Sequence, residues 1–468
     1  MHINFHVFRE YDIRGLAERD FTNAFVVGLG RALATWWRER GGRRVAVARD
    51  GRLSSPSLHE ALSEGLLRGG MEVVDLGTVP TPLLYFSVFH FGLDGGVIVT
   101  GSHNPPEENG FKIMSGRSTL SGEEIRQLAQ IMEAEAFVDA EGGQRKALNP
   151  LPAYIGFLRG NFNLNREKAA SFRFAIDAGN GAGGPVAIAA CHALGLAPQG
   201  LLCEIDGSFP VHHPDPSLPE NLDLLIRAVK ENRLSLGIAY DGDADRLGVV
   251  DERGEIVPAD RLLVLFARDL LVRHPGASVI AEVKCSELVL QAIASQGGQP
   301  VLWKTGHSLI KKKMQETKAL LAGEMSGHFF FADRYYGFDD GIYAGLRLIE
   351  ILLASEKPLS ALLEDLPKTH ATPEIRLPCP DEHKFEVVKR MLESYRNSLA
   401  DGGKIIDVDG LRIVYPDGAW ALVRASNTQP VLVLRFEAPT AERLEALRSE
   451  VEGRLAEIQK RVQQREVS

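Results

Sequence analysis

The sequence predicts an α/β protein of four units: three topologically similar mixed α/β domains, then a smaller C-terminal α+β domain. Three observations carry this. A length of 468 residues suggests roughly two to four domains of ~100–200 residues each. Short β-branched runs alternate with helical periods three times over, the rhythm of βαβ units. After "EDLPKTHATPEIRLP" (364–378) that alternation stops.

The first unit reads "RVAVARD", "SPSLHEALSEGLLRGG", "MEVVDLG", "TPLLYFSVFHFG" and "GGVIVTGS", strand and helix by turns. The second begins at "FRFAIDAGNGAGG", passes through a helix to "LAPQGLLCEID" and ends in "LSLGIAYDGDADRLGVVDE". The third holds "ASVIAEVKCS", "QPVLWKTG" and "LLAGEMSGHFFF", joined by helical stretches. Linker-like breaks near 147–154, 253–260 and 364–378 divide the chain into 1–150, 151–255, 256–368 and 369–468. At the end, Leu444, Leu447, Val451, Leu455, Ile458 and Val462 recur at 3/4 spacing, which predicts one packed helix.

Composition narrows the function classes. Hydrophobic content of 44% and charged content of 25% are those of an ordinary globular protein. With 53 basic and 62 acidic residues the net charge is −9, which argues against nucleic-acid or anionic-membrane partners. Cys191, Cys203, Cys285 and Cys379 are scattered without a CxxC, so reduced thiols are expected and a zinc site is not. "MHINFHVFREYDIRG" has no signal-peptide pattern, and no apolar run approaches the ~18 residues of a membrane span. A cytoplasmic location is the expectation.

Four loops could carry chemistry. In "YDGDADRLGVVD", Asp241, Asp243 and Asp245 alternate directly after the strand-like "LGIAY". Three carboxylates so close repel unless a cation sits between them, and hard oxygen donors suit Mg²⁺ or Ca²⁺. An Asx-rich turn is the plain alternative. An EF-hand is disfavoured because the closing glutamate and flanking helices are missing. Arg246 follows and could offset the charge or touch a phosphate.

The second loop, in "VIVTGSHNPPEENGFKI", puts Ser102 beside His103 and Asn104 with Lys112 downstream, where α/β proteins bind ligands at strand ends. By itself it could be a turn. A Ser-His-Asp triad is disfavoured, since neighbouring side chains in extended backbone point oppositely and no G-x-S-x-G elbow is present. The third, "AGEMSGHFFF", alternates Glu324, Ser326 and His328, and Glu with Ser could bind a pair of sugar hydroxyls. Upstream, Lys284, Gly306 and His307 occupy comparable strand ends, whereas Lys311 to Lys313 read as a solvated helix face. The fourth, "VRASNTQPVLVLRFEA", gathers Arg424, Ser426, Asn427 and Thr428, a set suited to an anion because arginine matches phosphate geometry. Gly179, Gly181 and Gly184 form a GxGxxG with Glu204 downstream, formally a dinucleotide fingerprint. A tight strand-to-helix turn is the better reading, since a dinucleotide site leaves the Asp triplet and final loop unexplained.

Taken together, these residues resemble the α-D-phosphohexomutase superfamily, in particular its bacterial phosphomannomutase/phosphoglucomutases, from "FREYDIRG" to "RASNTQPVLVLRFEA". The resemblance implies the four units around one central cleft. It implies that Ser102 is a phosphoserine that, with Asp241, Asp243 and Asp245, binds magnesium. Glu324 and Ser326 match the sugar-binding pair, and Arg424, Ser426, Asn427 and Thr428 the phosphate-binding loop. Tyr11, Arg14, His103, Lys112, Arg246, Lys284, Gly306, His307 and His328 match further cleft positions. The implied reaction interconverts hexose 1-phosphate and hexose 6-phosphate, of mannose and glucose, through a 1,6-bisphosphate that turns end for end. Arg14, Lys112 and Arg246 would stabilise the transferring phosphoryl group. His307 is the first candidate general base and Lys112 the second. Glucose 1,6-bisphosphate as activator, sugar phosphates as partners and a monomer complete the expectation. Phosphoglucosamine mutase is the nearest rival. A phosphoserine-dependent phosphatase, a dinucleotide oxidoreductase and a non-catalytic sensor are the others.

Overall fold

The computed structural model describes residues 3–399, 402–427 and 429–464. Four sheets follow one another along the chain. The first places its strands in the order Ile13–Leu16, Glu108–Ser115, Gly95–Val99, Arg44–Arg49, Glu72–Thr78, Gln144–Ala147, with Ser118–Thr119 beside Glu108–Ser115. The second runs Ile256–Val257, Leu247–Asp251, Leu236–Tyr240, Phe174–Asp177, Gln199–Leu201, and the third Gln299–Trp303, Ser278–Glu282, Leu321–Gly323, Phe329–Phe331. The fourth joins His370–Ala371 and Ile375–Pro378 to Val431–Ala438, then Trp420–Ala425, Leu411–Val414 and Lys404–Ile406, all antiparallel.

The first three sheets share a plan: parallel strands inside, and an antiparallel hairpin that begins at one of them and leads toward an edge. The hairpin partners are Gly95–Val99 with Glu108–Ser115, Leu236–Tyr240 with Leu247–Asp251, and Leu321–Gly323 with Phe329–Phe331. Gly95–Val99 and Leu236–Tyr240 are buried at every residue, as strands covered on both faces must be. Alternating burial would have kept a polar face. The fourth sheet repeats the hairpin as Trp420–Ala425 with Val431–Ala438. Each of the four chemically suggestive loops is therefore the connection of one such hairpin.

Helices cover the faces. Asn23–Glu39, capped by the Thr22 side chain on Phe25 N, crosses Ser55–Arg68 at bare backbone. A Cβ at Gly30 would lie 2.4 Å from Leu62 O, and one at Gly65 would lie 2.2 Å from Val27 O. The terminal helix, Ala441–Gln464, buries Leu447, Val451, Leu455, Ile458 and Val462 against the fourth sheet, with Leu444 half-buried beside them. Burying one such side chain contributes roughly 1.5–3 kcal/mol.

Two expectations need adjusting. The stretch 253–260 is no free linker, because Ile256–Val257 pairs with Leu247–Asp251 in the second sheet. Lys311 belongs to no solvated face: it is buried, while Lys312 is exposed and Lys313 half-buried. Its helix, His307–Thr317, sets residues 307 and 311 one turn apart, so Lys311 follows His307 inward. No helix among the described residues is long and apolar enough to cross a membrane.

Candidate active site

The first hairpin loop and the second meet at Ser102. Its hydroxyl donates to Asp241 Oδ2 at 2.8 Å, and both residues are buried. Ser102 has φ of 50°, left-handed for a non-glycine residue, so the extended-backbone argument about its neighbour fails. That turn brings His103 Nδ1 to 3.2 Å from Ser102 Oγ. Burial, with the cations Arg246 and Arg14 nearby, holds the His103 imidazole well below its usual range.

Behind Ser102, Asp241, Asp243 and Asp245 are fully buried and bring one carboxylate oxygen each within 4.8 Å of one another. Lys112 Nζ donates to Asp243 Oδ2 at 2.6 Å and to Asp245 Oδ2 at 2.5 Å. Burial and the two neighbouring carboxylates push Asp241 well up. Burial would also raise Asp243, but the Lys112 ammonium outweighs it and holds that carboxyl below the usual range. The same carboxylates keep Lys112 charged against its own burial. Asp243 Oδ1 and Asp245 Oδ1 are buried without a hydrogen-bond partner. Three carboxylates against one ammonium, with two oxygens unspent, fit a divalent cation.

The third hairpin joins this cluster through His328. Arg246 N donates to Asp241 Oδ1 at 3.1 Å, and Arg246 Nε donates to His328 Nε2 at 3.1 Å. His328 Nδ1 lies 3.1 Å from Asp245 O and 3.2 Å from Asp339 Oδ2. His328 and His307 stack at 5.8 Å between centroids. Lys311 Nζ reaches both His307 Nδ1, at 3.1 Å, and Asp339 Oδ1, at 2.8 Å. Burial and the Lys311 ammonium hold His307 well below the imidazole range. For His328 burial pulls down, but Asp245 and Asp339 outweigh it and raise the group.

Glu324, Ser326 and His328 share the bend of a hairpin that turns at Gly327, whose φ is 93°. Ser326 Oγ donates to Glu324 Oε2 at 3.2 Å, and Gly306 N donates to Glu324 Oε1 at 2.7 Å. Gly306 is required twice over. Its φ is 127°, and a Cβ there would stand 2.5 Å from Tyr11 Cζ. Tyr11 OH donates to Thr305 O at 2.8 Å and accepts from Asn427 Nδ2 at 2.5 Å, which ties the first, third and fourth units together.

In the fourth loop Arg424 Nε donates to Asp409 Oδ2 at 2.9 Å, and Ser426 Oγ accepts from Gln429 N at 3.2 Å. Thr428 lies outside the described residues. Lys284 Nζ lies 3.0 Å from Glu374 Oε2 and 3.3 Å from Glu282 Oε1. Its backbone is held by the fourth sheet: Arg435 Nη1 donates to Lys284 O at 2.8 Å, and Arg412 Nη1 to Cys285 O at 2.8 Å. Arg14 Nη1 donates to Asn104 Oδ1 at 2.8 Å and Arg14 Nε to Asp12 Oδ2 at 3.0 Å.

Contacts thus run without a break from Ser102 through Asp241, Arg246, His328, His307 and Tyr11 to Asn427, touching all four units. Ser326 joins through Glu324 and Gly306. Arg424 and Lys284 are held in carboxylate pairs. Sequence reasoning missed Asp339 and Lys311; the signal for Lys311 was its place one helical turn from His307. The GxGxxG glycines are spent on packing. A Cβ at Gly181 would lie 2.6 Å from Gly242 O and one at Gly184 2.2 Å from Cys203 O, which leaves no cradle for a pyrophosphate.

Comparison with known proteins places this arrangement. Models of phosphoglucomutase/phosphomannomutase alpha/beta/alpha domains I, II and III match residues 6–139, 152–254 and 258–370, and that of the C-terminal domain matches 374–454. A phosphomannomutase/phosphoglucomutase of Pseudomonas aeruginosa is 45% identical over 97% of this chain and 96% of its own. A phosphoglucomutase of Neisseria gonorrhoeae is 46% identical over 95% of each chain. The crystal structure of a phosphoglucomutase/phosphomannomutase family protein from Burkholderia thailandensis superposes with a TM-score of 0.90 at 41% identity, over 99% of this chain and 98% of that one. With four site loops on four matching domains, this chain belongs to the phosphoglucomutase/phosphomannomutase family.

Proposed function

We propose that this enzyme interconverts hexose 1-phosphate and hexose 6-phosphate, of glucose and mannose, with Ser102 as the phosphoryl carrier. The observation that carries the reading is the Ser102 hydroxyl, 2.8 Å from Asp241 Oδ2 at the mouth of a buried carboxylate triplet. Asp241, Asp243 and Asp245, with an oxygen at Ser102, would hold Mg²⁺. When bound, the ion polarises phosphoryl oxygens and spreads the charge of transfer. Lys112, Arg14 and Arg246 add fixed positive charge around the carrier.

The sugar phosphate rests its phosphate on the Arg424–Thr428 loop and its hydroxyls on Glu324 and Ser326. Lys284, Gly306, His307 and Tyr11 complete that wall. The phosphoryl group leaves Ser102 Oγ for the free hydroxyl, whose proton must be accepted. We assign that role to His328 rather than to His307 or Lys112. His328 Nδ1 faces two acceptors, Asp245 O and Asp339 Oδ2, so it carries the hydrogen and its lone pair is on Nε2; that nitrogen accepts from Arg246 Nε at 3.1 Å and takes the proton once the guanidinium turns to the phosphoryl group. His307 Nδ1 faces the Lys311 ammonium, so its other nitrogen carries the hydrogen. Lys112, kept charged, has no lone pair to offer. The resulting bisphosphate turns end for end, and its second phosphoryl group returns to Ser102 Oγ. Glucose 1,6-bisphosphate is the activator because it reloads a bare Ser102.

The test is a coupled assay on glucose, mannose and glucosamine 1-phosphates in parallel. The first two should give their 6-phosphates, with release of inorganic phosphate a minor side reaction. Preference for glucosamine 1-phosphate would move the enzyme to the rival sugar, and steady phosphate release would make it a phosphatase.

A further inference from the structure

Arg52 takes no part in the site just described, yet its guanidinium is spent on the loop that carries Ser102. It lies in the turn between Arg44–Arg49 and Ser55–Arg68, and its side chain is fully buried. Nη2 donates to Ser102 O at 2.8 Å and to Asn104 O at 2.6 Å. Nη1 donates to Pro105 O at 2.5 Å and to Glu108 O at 3.0 Å. Nε lies 3.3 Å from Asp50 Oδ2, the carboxylate oxygen that accepts from Thr100 Oγ1 at 2.8 Å. Thr100 Oγ1 in turn accepts from Ser102 N at 2.9 Å. Both peptide groups flanking Ser102 are thus fixed from the Asp50–Arg52 turn.

The Ser102 carbonyl is also confined from the other side. A Cβ at Gly242, inside the Asp triplet, would lie 2.3 Å from Ser102 O. Gly101 packs bare against the guanidinium, where a Cβ would lie 2.5 Å from Arg52 Cζ. A serine at φ of 50° has little intrinsic reason to stay there. Its carbonyl is held by Arg52 and capped by Gly242, and that fixes the direction of Oγ.

We propose that Arg52 is a positioning residue for the Ser102 phosphoryl carrier: four hydrogen bonds to carbonyls of 102–108 lock the backbone so that Oγ keeps its aim as the phosphoryl group leaves and returns. This rests on the carrier reading above. The planar fork is needed, because a lysine ammonium brings three donors on one nitrogen and cannot span four carbonyls.

Arg52→Lys tests it, with kinetics on glucose 1-phosphate, thermal unfolding, and hydrogen exchange over 100–110. The proposal expects kcat to fall about 10²-fold, the loss that a misplacement of about 1 Å brings. KM should stay unchanged, since Glu324, Ser326 and the Arg424 loop belong to other units, the unfolding temperature should fall by no more than the loss of a hydrogen bond or two brings, and exchange should rise in 100–110 alone. Wild-type kcat in folded Arg52→Lys overturns the proposal. So does a kcat loss that comes with a larger fall in unfolding temperature and faster exchange across the whole first unit, which marks a merely structural arginine. Should Arg52→Lys not fold, Gly101→Ala, which pushes the intact guanidinium aside, is judged by the same outcomes. An active Ser102→Ala, measured separately, would sink the carrier reading itself rather than the role of Arg52.

Discussion

The hairpin loop holding Ser102 and the hairpin loop holding Asn427 arise from the same device, a turn between two antiparallel neighbours, but they are anchored differently. Ser102 itself is buried and tied from several sides: Asp241 takes its hydroxyl, Thr100 its N–H and Arg52 its carbonyl. Around Asn427 the described ties are of two kinds: Asn427 to Tyr11 crosses between units, and Arg424 to Asp409 stays within the fourth. The cations of that second region are paired with carboxylates, Arg424 with Asp409 and Lys284 with Glu374, and in the proposed reading an incoming phosphate would draw them off. A transferring group needs an aim that does not move. A binding loop must admit and release a ligand that returns the other way round. The contrast teaches that substitutions in the first region should act on kcat and those in the second on KM.

Asp243→Asn is the largest break. It removes one carboxylate from the triplet and a partner of Lys112, so kcat should fall about 10²–10³-fold, the worth of several kcal/mol of charge stabilisation, while KM stays near wild type. Excess Mg²⁺ should recover part of the loss in steady-state kinetics. A rise in KM alone would place the triplet on the binding side of the comparison. Arg424→Ala is expected to raise KM about 10-fold or more, as loss of a charged hydrogen bond does, with kcat little changed. A kcat collapse with KM unmoved would erase the distinction.

Tyr11→Phe removes the hydroxyl that receives Asn427 and donates to Thr305. KM should rise a few-fold, for about 0.5–1.5 kcal/mol per hydrogen bond, and isothermal calorimetry with glucose 1-phosphate should show the same weakening. The smallest effect is on stability. Burial would raise Glu374, but the Lys284 ammonium outweighs it and holds the group at about 2, against an ordinary 4.5. A depressed carboxylate stabilises the fold above its unfolded pKa, so that contribution is lost as pH falls from 4.5 toward about 2. Glu374→Gln should flatten that acid limb of the unfolding temperature. An unchanged limb would mean that Lys284 is not parked there.

Much of this was legible because strand-end loops announce themselves locally. The all-apolar "LGIAY" followed by alternating aspartates needs no tertiary knowledge, and neither does Ser102 after "VIVT". What escaped depends on partners distant in sequence. Lys311 looked like part of a basic surface run until its Asp339 partner, on the connection after the third hairpin, drew it inward. Arg52 reads as an ordinary turn residue because its carbonyl partners lie some fifty positions on. The proximity of His103 to Ser102 turned on a single positive φ that no residue type announces. The Gly179–Gly184 turn shows the reverse, a familiar spacing whose glycines serve close packing.

The central claim is that Ser102 Oγ stores and hands over the phosphoryl group, and mass spectrometry of the protein tests it most directly. After incubation with glucose 1,6-bisphosphate and Mg²⁺, the peptide containing Ser102 should gain about 80 Da, one phosphoryl group, and lose it on addition of excess hexose 1-phosphate. Ser102→Ala should show neither the gain nor turnover. A gain on another residue, or turnover with Ser102 unmodified throughout, would contradict the account.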